Sequence, residues 1–205
     1  IFVVDTAGVV KRKIDYSTTK DGQQLKPFMP SDKSQIVFIG DDLYIPQTVN
    51  LRLGDKAIER SPIKVVLDTI ENTSEALPMR FPPLINYKDF GTVGAFGAEY
   101  SFCYDGNRFI YSFDADEDLY LTTSAHENVE KKKAKSKYID HVTVFRSTEG
   151  NFQKMVRAQC EHASYGKILY DKYRDVYYRF VYPPCDTSDY FGDYVELLRS
   201  GRKRF

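Results

Sequence analysis

Tryptophan is absent, the formal net charge is zero, and no apolar run is long, and each of these removes a class of explanation. No stretch approaches the roughly 20 consecutive apolar residues that a membrane-spanning helix needs. Lys plus Arg and Asp plus Glu each total 29. A protein that grips nucleic acid carries a basic excess to neutralise phosphates, so this balance argues against a polyanion partner. Cysteine is scarce. Cys103, Cys160 and Cys185 include no CxxC pair, and an odd count permits at most one internal disulfide, so a disulfide framework is excluded. They read as small buried hydrophobes, with Cys185 in a loop. His126, His141 and His162 form no HxH or HxxxH pair, so no metal site is expected. There is no GxSxG, GxGxxG or P-loop. Gly91-Thr92-Val93-Gly94 lacks both the preceding strand and the Lys-Ser/Thr ending of a phosphate loop, and no cofactor is expected.

What the chain has in quantity is tyrosine and phenylalanine. The 16 Tyr and 14 Phe make an aromatic fraction of 15%, and both residues favour pleated, half-buried surfaces. Ile1–Asp5 and Val9–Ile14 flank Thr6-Ala7-Gly8 and read as a hairpin. Residues 17–34 read as a long polar connection. Gln35–Ile39 and Leu43–Pro46 flank Gly40-Asp41-Asp42 as a second hairpin. Lys64–Asp68 and Ala76–Phe81 form a third pair, whose prolines place the second strand at a sheet edge. Residues 82–98 read as a loop. Tyr100–Tyr104, Asp105-Gly106-Asn107 and Arg108–Phe113 carry the clearest turn cue, because Asp-Gly between β-rich runs supplies the left-handed residue a tight hairpin needs. A turn at Asp114–Asp118 leads to Leu119–Thr123 and completes a three-strand meander. Phe109, Tyr111 and Phe113 share one face and Ile110 and Ser112 the other.

Residues 126–137 read as a solvated, lysine-rich segment, followed by a strand over Tyr138–Phe145. Helical spacing occurs once, where Phe152, Met155, Val156 and Cys160 share a face within about residues 149–162. Lys167–Tyr170 and Asp175–Tyr182 form a last hairpin about Asp171-Lys172-Tyr173-Arg174, and a final strand starts near Tyr194. Long loops recur at roughly 40–55 residues, the scale of propeller blades. Parallel βαβ units would need a helix between most strands. The expectation is an all-β fold of antiparallel, blade-type sheets with one short helix. It would be a single domain over 1–205, forming about three to four blades of a larger β-propeller.

Tyr104-Asp105-Gly106 with Ser112-Phe113, Ser136-Lys137-Tyr138-Ile139, and above all the segment Ile168–Phe180 resemble a group of uncharacterised Bacteroidetes lipoproteins that share a domain of unknown function. The resemblance implies a six-bladed, TolB-like propeller, exported to the periplasm or cell surface on a lipid anchor. It carries no catalytic residue. The chain has no lipobox cysteine near its start and is short for six blades, so the anchor and remaining blades are expected outside this fragment.

Three constellations bear on function. The acidic turn Asp114–Asp118 offers clustered oxygens to Ca²⁺ but lacks the Gly and Glu of an EF-hand loop, and aspartates also serve turns locally. The lysine run Glu130–Lys137 suits either an anionic surface or the blunting of a sheet edge. Arg179, Tyr177, Arg174, Asp171 and Asp105 form the candidate ligand-binding set. Arg179, on the face shared with Tyr177 and Val181, could clamp a carboxylate or phosphate with its planar fork, or pair with Asp171 or Asp175 to fix the turn. Val176, Tyr178, Phe180 and Tyr182 read as the core face of that strand. Two functions follow. One is a non-enzymatic binding or scaffold protein for a glycan, a peptide or another envelope protein. The other is a hydrolase or lyase with its site in a central propeller channel, for which the sequence offers only available carboxylates, His and Tyr.

Overall fold

The computed structural model describes residues 1–14, 16–25, 35–50, 57–82, 99–140, 142 and 160–185. Within them the chain is almost entirely β and wholly antiparallel, with a short helical turn, α1 (Ala57–Arg60), ahead of the third strand pair and two helical residues at 160–161. The strands β1 (Phe2–Val4) and β2 (Val10–Lys13) form a hairpin. The next four, β3 (Val37–Ile39), β4 (Asp42–Pro46), β5 (Lys64–Asp68) and β6 (Thr73–Ala76), form one sheet in chain order. So do β7 (Tyr100–Tyr104), β8 (Phe109–Phe113), β9 (Asp118–Thr122) and β10 (Val129–Lys133). A two-stranded sheet follows, of β11 (Ser164–Asp171) and β12 (Val176–Tyr182).

Aspartate shapes most of the tight turns. The Asp105 carboxylate accepts the amides of Asn107 at 2.8 Å and Arg108 at 2.6 Å, while Gly106 takes φ 97°, a conformation that costs glycine nothing. Asp5, Asp68, Asp116 and Asp171 accept amides two residues on in the same way.

The sheets stack face to face. One face of β7–β9 carries Tyr100, Phe102, Phe109, Tyr111, Phe113 and Tyr120, packed on Tyr44 of β4 and on Ile63, Met79 and Phe81 from the segments flanking β5 and β6. The rings meet in tilted and edge-on contacts, the most nearly perpendicular being Phe113 and Tyr120 at 5.3 Å and 87°. The opposite face presents Ile110 and Leu121 to Ile168 of β11. Ser101 and Ser112, both fully buried, let β11 approach closely: the Ile168 amide donates to the Ser101 hydroxyl at 3.0 Å, and the Ser112 hydroxyl donates to the Gly166 carbonyl at 3.2 Å. On the other side of β11, a Cβ at Gly166 would lie 2.4 Å from the Tyr182 ring, so a larger residue would have to displace that exposed side chain. On the far side of the β3–β6 sheet, Leu43, Ile45 and Leu67 pack on Ile14, with Ile1 and Tyr16 alongside.

Several expectations change. The partner of β5 is Thr73–Ala76, not Ala76–Phe81: Thr69–Asn72 already turns the chain, with Asn72 at φ 59°, and β6, which lies at the sheet edge, contains none of the prolines from which an edge was expected. The meander has a fourth strand, because β10 pairs fully with β9 while leaving every residue exposed, as an edge coated in lysine does. Residues 138–140 form a turn and bend rather than a strand. The facing of β12 is inverted. Tyr177, Arg179 and Val181 point toward the stack, whereas Val176, Tyr178, Phe180 and Tyr182 are exposed. Alternation identifies two faces, but only the neighbouring sheet decides which is covered. The loop over 83–98, most of the helix expected over 149–162, residues 143–145 and the final strand lie outside the described residues; of that helix, residues 160–161 are helical.

This facing has a measurable consequence. Phe109 is fully buried and Phe180 is 49% exposed. Phe109→Ala should cost about 3–5 kcal/mol in urea unfolding, and Phe180→Ala less than about 1 kcal/mol; equal costs would contradict the observed facing.

Candidate functional site

Arg179 is drawn into the stack by its own strand. Its guanidinium lies 3.6 Å over the Tyr165 ring and donates to the Ser112 hydroxyl at 2.8 Å. It also reaches four backbone carbonyls: Glu117 at 2.8 Å, Asp116 at 2.5 Å, Phe113 at 3.3 Å and Ala134 at 3.4 Å. Burial pushes its pKa down to about 10, and the nearby Tyr165 and Asp116 oppose that shift. The fork thus crosslinks β12 to the β8–β9 turn through neutral acceptors, and neither Asp171 nor Asp175 is among its bonds.

Those two carboxylates serve the β11–β12 turn instead. Asp171 accepts the Tyr173 and Arg174 amides and pairs with the Arg174 guanidinium at 2.7 Å, while Asp175 accepts the Tyr170 hydroxyl at 3.0 Å. Asp175 stands at φ 53°. The Arg174 pair holds the Asp171 carboxyl below its ordinary range. Tyr177 reaches away from this turn to Asp105 of the β7–β8 turn, donating at 2.6 Å, with Arg108 3.6 Å from the same carboxylate oxygen. Burial tends to raise the Asp105 pKa, but the bonds from Tyr177, Arg108 and Asn107 hold it below its usual value. Burial and that carboxylate push the Tyr177 hydroxyl up to about 12. Of the five candidate residues, the fold therefore joins Tyr177 to Asp105 and Arg174 to Asp171, and seats Arg179 deeper, two residues along β12. The result is a polar, aromatic ledge at one end of the last two sheets, where Tyr170 and Tyr177 lie 5.2 Å apart.

The acidic turn and the lysine run answer one another. Asp118 pairs with Lys131 at 2.7 Å, Glu117 lies 3.7 Å from Lys133, and Asp116 accepts the Tyr120 hydroxyl at 2.5 Å. Among the described residues, no three His, Cys, Asp or Glu side chains gather as a metal site would require.

A buried polar group was not foreseen. Lys64 is fully buried between the two four-stranded sheets, its ammonium 3.2 Å from the Phe102 ring centroid and 5.0 Å from that of Phe109, with no hydrogen-bond partner. Burial drives its pKa well below the ordinary value, although ring faces recover about 2 kcal/mol or more for a desolvated ammonium. Beside it, His126 is 1% exposed at φ 58°. Its Nδ1 lies 2.8 Å from the Ser124 carbonyl, which fixes the proton there, so Nε2 accepts from the Tyr111 hydroxyl at 2.5 Å. Burial first, then Lys64, lowers the imidazole pKa to about 4. The sequence signal was slight: in the run Lys64–Asp68, Lys64 shares a strand face with Val66, and only the structure shows that this face is covered, with Val66 paired to Tyr44.

Two outcomes follow from these environments. Between pH 6.5 and about 4 the unfolded chain protonates His126 while the folded chain resists, so stability is complete above pH 6.5 and declines as pH falls, by roughly 3 kcal/mol in all. Urea unfolding at pH 7 and pH 4.5 should show this decline in the wild type and a clearly smaller one in His126→Asn, since Asn tolerates the left-handed backbone. Arg179→Met strands buried carbonyls and should cost about 2–4 kcal/mol, of which Arg179→Lys recovers only part, measured by the same unfolding curves.

A family model described as a domain of unknown function (DUF4221) matches residues 1–194. A crystal structure of a DUF4221 family member from Bacteroides vulgatus aligns with a TM-score of 0.71 at 21% sequence identity, covering 88% of this chain and 50% of that one. The chain thus spans about half the length of that structure, and at this identity the likeness concerns the fold alone. No curated protein matches the chain. Matched by the family model over almost its whole length, the chain belongs to the DUF4221 family.

Proposed function

We propose that the chain forms consecutive blades of a larger β-propeller, and that this propeller acts as a binding or scaffold protein at the bacterial envelope. The observation that carries the reading is the stacking of sheets in chain order, each meander packed face to face on the one before it. Propellers repeat this arrangement about their axis. The outer face of the β11–β12 sheet supports it, because Leu169, Val176, Tyr178, Phe180 and Tyr182 are exposed where a following blade would pack. So does the extent of the family structure, of which this chain matches half. On this reading the chain supplies about three to four of six blades. The envelope location and a lipid anchor rest on the lipoprotein resemblance of the sequence.

The ledge of Tyr170, Tyr177, Asp105, Asp171 and Arg174 is the proposed contact surface. Its phenols combine apolar area with a polar tip, and its carboxylates and guanidinium sit beside them, which suits glycan hydroxyls or a peptide. Arg179 is assigned to holding the sheet that carries the ledge, since its donors are already engaged.

Screening on glycan and peptide arrays tests this reading. Wild-type protein should retain one ligand class, with Arg174→Ala and Tyr177→Ala each weakening it by about tenfold or more. Arg174 projects from its turn, 73% exposed, so its loss leaves the fold intact. Wild-type binding that both variants preserve would remove the ledge, and an array without a single ligand would sink the binding role.

A further inference from the structure

Two of the three cysteines flank the open end of the β11–β12 hairpin. Cys160 lies before β11 and Cys185 follows β12. The Cys185 amide donates to the Cys160 carbonyl at 2.9 Å, which carries the pairing of the two segments beyond the last ladder pair, Ser164 with Tyr182. A direct amide-to-carbonyl bond between the two residues brings their Cα atoms into the range that a disulfide spans. Burial, and then the neighbouring Cys185 thiol, raise the Cys160 pKa, as side chains lying close together do. Cys185 is exposed and Cys160 half-buried, so a reagent reaches one thiol and the other stands behind it. Cys103 is placed differently. It lies in β7 against Ile110, Leu121 and Ile168, and burial pushes its thiol up to about 12, which leaves it unreactive.

We propose that Cys160 and Cys185 are a redox-sensitive pair that closes into a disulfide clasp across the base of the β11–β12 hairpin, with a small-molecule or protein disulfide as the oxidant. The Cys185 thiolate attacks one sulfur of the donor, forming a mixed disulfide and expelling one donor thiolate. The Cys160 thiolate then attacks the Cys185 sulfur, and the second donor thiolate leaves. Two protein thiols become one disulfide while the donor is reduced to two thiols, and the two cysteine protons pass to solvent or to the leaving thiolates. The clasp would restrict the unfolded chain between the two positions and tie down a sheet too small to stand alone. It goes beyond the binding reading and does not depend on it.

Oxidised glutathione is the probe. After incubation of the whole chain, thiol titration should show two of three thiols lost. A non-reducing tryptic map should join the peptide holding Cys160 to the one holding Cys185, with Cys103 still free. The melting temperature should rise by roughly 5–10 °C relative to reduced protein. Cys160→Ser should stop at a glutathione adduct on Cys185, and Cys185→Ser should remain unmodified, neither showing the thermal shift. A stable adduct on wild-type Cys185, a bridge involving Cys103, or a disulfide-linked dimer would each overturn the proposal.

Discussion

The structure depends on the double burial of one antiparallel sheet. Such sheets commonly keep one face in water, and their strands then alternate polar with apolar. Here all five residues of β8 are buried, so each face must be complemented by a neighbour. The two solutions differ. Toward the β3–β6 sheet, large rings fill a thick layer through tilted and edge-on contacts, the geometry their quadrupoles favour. Toward β11, two buried serines keep the separation small enough that their hydroxyls bond the incoming backbone.

Polar groups caught in these layers are mostly accounted for. The Tyr100 hydroxyl bridges the Gln47 and Ile63 carbonyls, each at 2.8 Å, and so pins the loop after β4 to the start of β5. Tyr111, His126 and the Ser124 carbonyl form a chain in which every proton has a destination. Lys64 departs from this rule. An amine held among ring faces without a hydrogen-bond acceptor opposes folding, and an apolar side chain of similar length would pack there at lower cost.

Much of the hairpin framework was legible because turn chemistry is local. Asp105-Gly106 and Gly40-Asp41 declare their turns within a few residues, and the strands beside them follow. What could not be read depends on residues far apart in sequence. β10 shows no apolar alternation because its partner supplies only backbone bonds and an acidic turn for its lysines. β12 has aromatic residues on its exposed face, so composition pointed outward side chains into the core. Arg179 was legible as distinctive but not in its role. Its acceptors are carbonyls contributed by residues 113, 116, 117 and 134, and a sequence does not show where a turn's carbonyls point. Lys64 and His126 were missed for a related reason: a lysine opening a strand ordinarily reaches solvent, and only the face of β7–β8 opposite it closes that route.

The last sheet shows how these features bear on function. Two strands alone are marginal in water, and the aromatic outer face of β11–β12 gains little from packing on this chain. Its position rests on directional contacts along its length. Tyr177 meets Asp105 at the turn end, and Arg179 spans the β8–β9 turn in the middle. At the base, the Tyr165 amide donates to the Asp114 carbonyl while its hydroxyl accepts the Ser136 amide. A hydrogen bond fixes direction as well as distance, so these contacts set the angle at which the ledge faces outward. Because Tyr177 belongs both to that anchoring and to the ledge, the proposed contact surface inherits its geometry from the interaction that docks the sheet, and a displacement of Tyr177 would be felt at Asp105 in the neighbouring turn.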